Sequence, residues 1–115
     1  MSHRLVAVFS PFENIADPRM SRTKLHNLFE IVVVALCGTL AGADTWVDIV
    51  RFGNERLAWL QTFLKLENGI PSHDTFGRVF ALLDPAELIR CLGQWLDDIG
   101  RDLGKHIAID PIKGS

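Results

Sequence analysis

The sequence has only two cysteines, Cys37 and Cys91, far apart and without a Cys-x-x-Cys pair. That excludes a disulfide scaffold and a structural zinc ribbon, and makes a reducing cytoplasm the expected compartment. The four histidines, His3, His26, His73 and His106, are scattered, and none stands three or four residues from another His or Cys. Zinc-ligand spacing is therefore missing as well. No Gly-x-Gly-x-x-Gly, Walker A or Gly-x-Ser-x-Gly segment occurs, so the usual signals of autonomous nucleotide hydrolysis and esterase chemistry are lacking. The longest apolar run, Ile31 to Ala43, falls short of the ~20 residues that a bilayer span requires, and no membrane partner is expected. Leu5 to Phe9, ahead of Ser10 and Pro11, are too few apolar residues for a secretion signal. Neither charge sign dominates: 12 Lys+Arg against 14 Asp+Glu gives a net charge of −2, which rules out a strongly basic nucleic-acid coat but leaves local basic patches open.

What remains is 115 residues with 48% hydrophobic composition, the size of one domain. A chain of this length buries roughly two thirds of the surface its unfolded form exposes, so it can build a core without disulfides or metal. No internal repeat or low-complexity stretch interrupts it. Asn27 stands where an N-cap would, and the run that follows reads as a buried helix. Asp44 is expected to cap a second helix from Thr45 to Phe52, with Trp46, Val47, Ile49 and Val50 on one side, and Gly53 to end it. Asn54 would cap a third helix, Glu55 to Leu64. Residues 65 to 71 form a connector, because Asn68-Gly69 favours a positive-φ turn and Pro71 disfavours helix before it. Ser72 caps a fourth helix with Phe76, Val79, Phe80 and Leu83 inward. Asp84-Pro85 starts a fifth that turns Leu88, Leu92, Trp95, Leu96, Ile99 and Leu103 inward and stops near Gly104. His106 to Asp110 then reads as a strand without partners. The expected fold is mainly α, a compact bundle of about five helices followed by one orphan β-strand.

Few residues suggest chemistry. Cys37 and Cys91 lie on apolar helical faces and read as small buried hydrophobes. The three tryptophans, Trp46, Trp59 and Trp95, read as core anchors. Residues 1–26 carry four basic and two acidic residues, the remainder eight and twelve. Arg19, Arg22 and Lys24 thus form a basic arm compatible with phosphate contacts, although a merely solvated segment has the same composition. A helix-turn-helix arrangement would present Ser72, His73, Thr75 and Arg78 to DNA; by residue chemistry alone the favoured reading of the same residues is a core helix with a polar N-terminus. Asp110, an acid at the end of an apolar strand, is the sharpest single feature. Alone it cannot do two-metal phosphoryl transfer, which needs several converging acids, and an Asp-Pro turn is its plain reading.

The order of segments is nevertheless specific: Asp17-Pro18-Arg19, Ala41-Gly42-Ala43-Asp44-Thr45-Trp46, Phe52-Gly53, Asn68-Gly69-Ile70-Pro71-Ser72-His73-Asp74-Thr75-Phe76-Gly77-Arg78-Val79-Phe80, Leu83-Asp84-Pro85 and Ile107-Ala108-Ile109-Asp110. Over roughly residues 10 to 110 this resembles the N-terminal part of the H-repeat-associated transposases, DDE transposases of bacterial insertion sequences. The resemblance implies a 1–26 arm, a helical domain at 27–104 associated with transposon DNA, and at 105–115 the truncated start of a ribonuclease-H-like catalytic domain. Asp110 matches the first catalytic acid, which would bind Mg²⁺ only in a full-length context. Where full-length relatives continue with Gly-Lys and then Arg-Gly-Ser, this sequence has Pro111-Ile112-Lys113-Gly114-Ser115, and the second Asp and the Glu are not among its residues. The expectation is an N-terminal transposase fragment without a cofactor of its own, catalytically incompetent alone. Its expected partners are transposon-end DNA, the missing catalytic domain or a full-length transposase, and a second copy. The alternative is a docking or oligomerisation domain that does not bind DNA.

Overall fold

A computed structural model describes residues 6–19 and 25–107. A 3-10 turn, Ser10–Phe12, precedes five α-helices: α1 (Leu28–Leu40), α2 (Trp46–Glu55), α3 (Leu57–Leu60), α4 (His73–Leu82) and α5 (Pro85–Ile107). Among the described residues no strand occurs, so the mainly helical expectation holds. Ala108 to Asp110 lie outside them. The last helix runs through Ile107, past Gly104, and takes in the first two residues of the expected strand.

α1 is the hub because its apolar residues are not confined to one face. Ile31, Val32, Val33 and Val34 are all fully buried, and four consecutive positions point around the whole circumference. Such a helix must be enclosed on all sides. α2 packs across α1 at Gly38, where a Cβ would come within 2.9 Å of the Ile49 side chain. α4 packs on α2 through Trp46, stacked on Phe76 at 6.0 Å and tilted against Phe80 at 5.0 Å. α5 closes the bundle over the N-terminal segment, with Trp95 against Phe9 and Phe12 at 5.8 and 6.1 Å. The Ala16 amide also donates to the Glu87 carboxylate of α5 at 3.3 Å.

The helix starts follow local chemistry. Asn27 accepts from the Glu30 amide at 3.1 Å and Ser72 from the Thr75 amide at 3.2 Å, both as expected, and Asp84 accepts from the Ala86 amide at 3.0 Å ahead of Pro85. At α2 the cap is Thr45, one residue beyond the expected Asp44: its Oγ1 accepts from the Asp48 amide, while the Asp48 carboxylate accepts from the Asp44 amide. These bonds, with Arg51 nearby, hold the Asp48 carboxyl below the usual carboxylate range.

Four expectations are corrected. Gly53 does not end α2, which continues to Glu55; the glycine is buried, and a Cβ there would meet the Ile70 side chain at 3.0 Å. Asn54 caps nothing, because α3 is a single turn entered through Arg56 with no side-chain cap. Leu96 is 61% exposed, not inward; Cys91 and Trp95 hold the core face of α5 instead. Of the tryptophans only Trp95 is buried, while Trp46 and Trp59 are 37% and 45% exposed. Both cysteines are buried and free, and burial pushes the Cys37 thiol up to about 11, so it is not a ready nucleophile.

Candidate nucleic-acid interface

Two segments distant in sequence meet at a cleft of about 510 Å³ lined by Pro18, Arg19, Leu25, His26, Ser72, Thr75, Arg78, Val79 and Leu82. One wall is the chain leading into α1, the other one side of α4 along its length, from the Ser72 cap to Leu82. The α4 wall has its register from Ser72, whose hydroxyl caps the helix and also bonds Thr75 Oγ1 at 3.2 Å. Phe76 and Val79 face the core, and that leaves Thr75, Arg78 and Leu82 to face the cleft. The opposite wall is tied to the connector before α4: Glu30 accepts from the Lys65 and Leu66 amides at 2.8 and 3.3 Å, and Asn68 Nδ2 donates to the Leu25 carbonyl at 3.0 Å.

Four of the residues singled out in the sequence, Arg19, Ser72, Thr75 and Arg78, thus come together. They are not equivalent. The Arg19 guanidinium is folded onto Asp17, with Nε donating at 3.0 Å and Nη2 at 2.9 Å, and its side chain is 12% exposed. Its charge is largely spent within the fold. Arg78 is exposed and donates through Nε to the Asp74 carbonyl at 3.4 Å; among the described residues it forms no ion pair. His73 does not line the cleft, and its Nε2 lies 3.5 Å from the Asp74 carboxylate. Arg22, Lys24 and Asp110 lie outside the described residues. The expected helix-turn-helix does not form: the single turn of α3 and the connector from Gln61 to Ser72 replace the compact ~3–4-residue turn of that motif.

Sequence reasoning missed His26 as part of this site. Its pKa is lowered from 6.5 by burial and by the charge of Arg19, with Glu30 opposing, so near neutrality the imidazole is uncharged. The apolar floor of Leu25, Val79 and Leu82 was also missed. Only the proximity of the two walls reveals it. Among the described residues no group of three His, Cys, Asp or Glu is placed to hold a metal ion, and no helix is long and apolar enough to cross a membrane.

Comparison with known proteins gives the cleft its context. A family model described as DDE_Tnp_1-associated matches residues 9–96, which includes both walls. A protein of Xanthobacter autotrophicus, "Uncharacterized protein in dhlA 3'region", is 46% identical over 102 residues, covering 86% of this chain and 35% of that protein. "H repeat-associated putative transposase YhhI" of Escherichia coli K12 is 37% identical over 97 residues, 84% of this chain and 26% of the relative. "Inactive transposase YbfQ" of the same strain is 40% identical over 63 residues, 55% of this chain and 75% of the relative. This chain thus spans about a third or less of the length of the first two. No solved structure matches it. The family match over residues 9–96 places the chain in the DDE_Tnp_1-associated family, with H repeat-associated putative transposases among its relatives.

Proposed function

We propose that this domain serves transposition, in the cytoplasm, by contacting transposon-end DNA through the cleft between the chain ahead of α1 and the start of α4. The observation that carries this reading is the convergence of Arg19, Ser72, Thr75 and Arg78 from segments more than fifty residues apart. A DNA phosphate offered there meets one unpaired guanidinium, Arg78, two hydroxyls and the positive end of the α4 dipole. Arg22 and Lys24 adjoin the same wall in sequence and extend the contact, with His73 on the helix's outer side. Arg19 acts mainly by ordering the wall through Asp17. Strand cleavage is assigned elsewhere: Asp110 corresponds to the first acid of a Mg²⁺-binding set, and one carboxylate cannot hold the ions that in-line phosphoryl transfer requires. The 115 residues are therefore proposed to be inactive alone and to act with a catalytic domain or a full-length transposase.

Fluorescence anisotropy of the protein with labelled terminal-repeat DNA tests the reading. Affinity should fall steeply with added salt, and Arg78→Glu should weaken binding about tenfold, the effect of losing one charge-assisted contact and adding a repulsive one. Equal affinity of wild type and R78E for the repeat would overturn it. A second reading, a docking domain without DNA contact, is favoured by one observation, the internal neutralisation of Arg19 by Asp17. Absence of any salt-sensitive binding supports that reading.

A further inference from the structure

α5 has two faces, and the fold uses one. Leu88, Cys91, Leu92, Trp95 and Ile99 turn toward the core. On the other side Ile89, Gly93, Leu96 and Gly100 follow one another at i, i+4, i+7 and i+11, the spacing of a single stripe. Ile89 and Leu96 are 67% and 61% exposed, and a Cβ added at Gly93 or Gly100 would meet nothing within 4 Å. Glycine is the poorest helix former after proline, and inside the longest helix of the bundle neither glycine is needed by any neighbour in the fold. Pro85 and Ala86 lie on the same exposed side, so the stripe has no charge along its length; Arg90 and Asp97 border one edge.

We propose that a second copy of this chain covers this stripe, α5 against α5, antiparallel about a two-fold axis. An interface between identical copies must be self-complementary, and this stripe is. With the axis passing between Gln94 and Trp95, Ile89 of one copy meets Gly100 of the other and Leu96 meets Gly93. Each exposed aliphatic side chain then sits over a glycine, where the bare backbone lets the helices approach closely. The same register brings Arg90 of one copy to within two residues of Asp97 of the other along the seam, about 3 Å of axial offset. Both pairs lie on one edge and are related by the axis. Arg90 has a long ion-pair contact to Glu87, at 3.9 Å, and a weak donation to Cys91 Sγ at 3.7 Å, and Asp97 has no ion pair among the described residues. A parallel arrangement would set Ile89 against Ile89 and glycine against glycine, losing this fit. A single helix pair buries less than the ~1,200 Å² of a standard interface, so the dimer is weak, in the micromolar range.

Sedimentation equilibrium of the whole chain, from about 1 to about 100 µM, tests this. Reversible dimerisation is expected. Gly93→Leu and Leu96→Glu should each raise the dimer Kd at least tenfold while leaving the circular dichroism spectrum unchanged, because both positions face open space in the single chain. Arg90→Glu should weaken the dimer and R90E/D97R should restore it, a rescue that loss of folding could not produce. A wild-type monomer across the whole range, or a dimer indifferent to G93L and L96E, overturns the proposal. Neither result bears on DNA binding at the α4 cleft.

Discussion

His26 shows how a single side chain records its surroundings. Burial and Arg19 both disfavour the imidazolium, so the unfolded chain takes up this proton at higher pH than the folded one. Stability from this group is fully present above the unfolded pKa, about 6.5, and is lost as pH falls through it toward the folded pKa. Urea titrations on the two sides of that value should therefore show a lower midpoint at the acidic pH, and His26→Gln should reduce that difference. Gly38 is sensitive for a steric reason: Gly38→Val adds two methyls where a Cβ alone would come within 2.9 Å of Ile49, and should cost about 1–3 kcal/mol of unfolding free energy by overpacking. Single residues also mark the limits of sequence reading. The partner of Arg19 was legible, since Asp17 stands two positions earlier, yet a charge count over residues 1–26 does not show that the two are paired. The reason for Gly53 was not legible, because Ile70, seventeen positions later, supplies it.

Helix starts are the most readable elements, since a cap spends its chemistry within three residues of itself. Asn27, Ser72 and Asp84 each capture an amide two or three positions on, and no tertiary information is needed to foresee that. Asp44 and Thr45 are both competent caps side by side, and the choice of Thr45 leaves the Asp44 amide to donate to the Asp48 carboxylate. Thr45→Ala should cost α2 about 1 kcal/mol, seen as a lower urea midpoint, while Asp44→Ala, whose backbone amide survives, should cost less. The faces of α5 were less readable. Helical periodicity gives a direction for each apolar residue but not the width of the sector that neighbours cover, so Leu96 was expected inside beside Trp95. The cleft escaped sequence reading for a related reason: its residues were identifiable one by one, but only the packing of α4 beside α1's approach makes them neighbours.

For the molecule as a whole, the N-terminal segment is held at α5 chiefly by Trp95 between Phe9 and Phe12. Among the described residues the buried indole Nε1 has no hydrogen-bond partner, so its anchoring rests on shape and apolar contact. Trp95→Ala should cost about 3–5 kcal/mol, and limited proteolysis should then cut the released segment ahead of α1. The other end of that segment carries a different implication. Glu30 clasps the Lys65 and Leu66 amides and Asn68 clasps the Leu25 carbonyl, so the approach to α1 and the approach to α4 are fastened to each other at a point outside the apolar core. The gap between the cleft walls is in that sense a gauge set during folding, and whatever enters it meets a spacing already fixed where these bonds hold it.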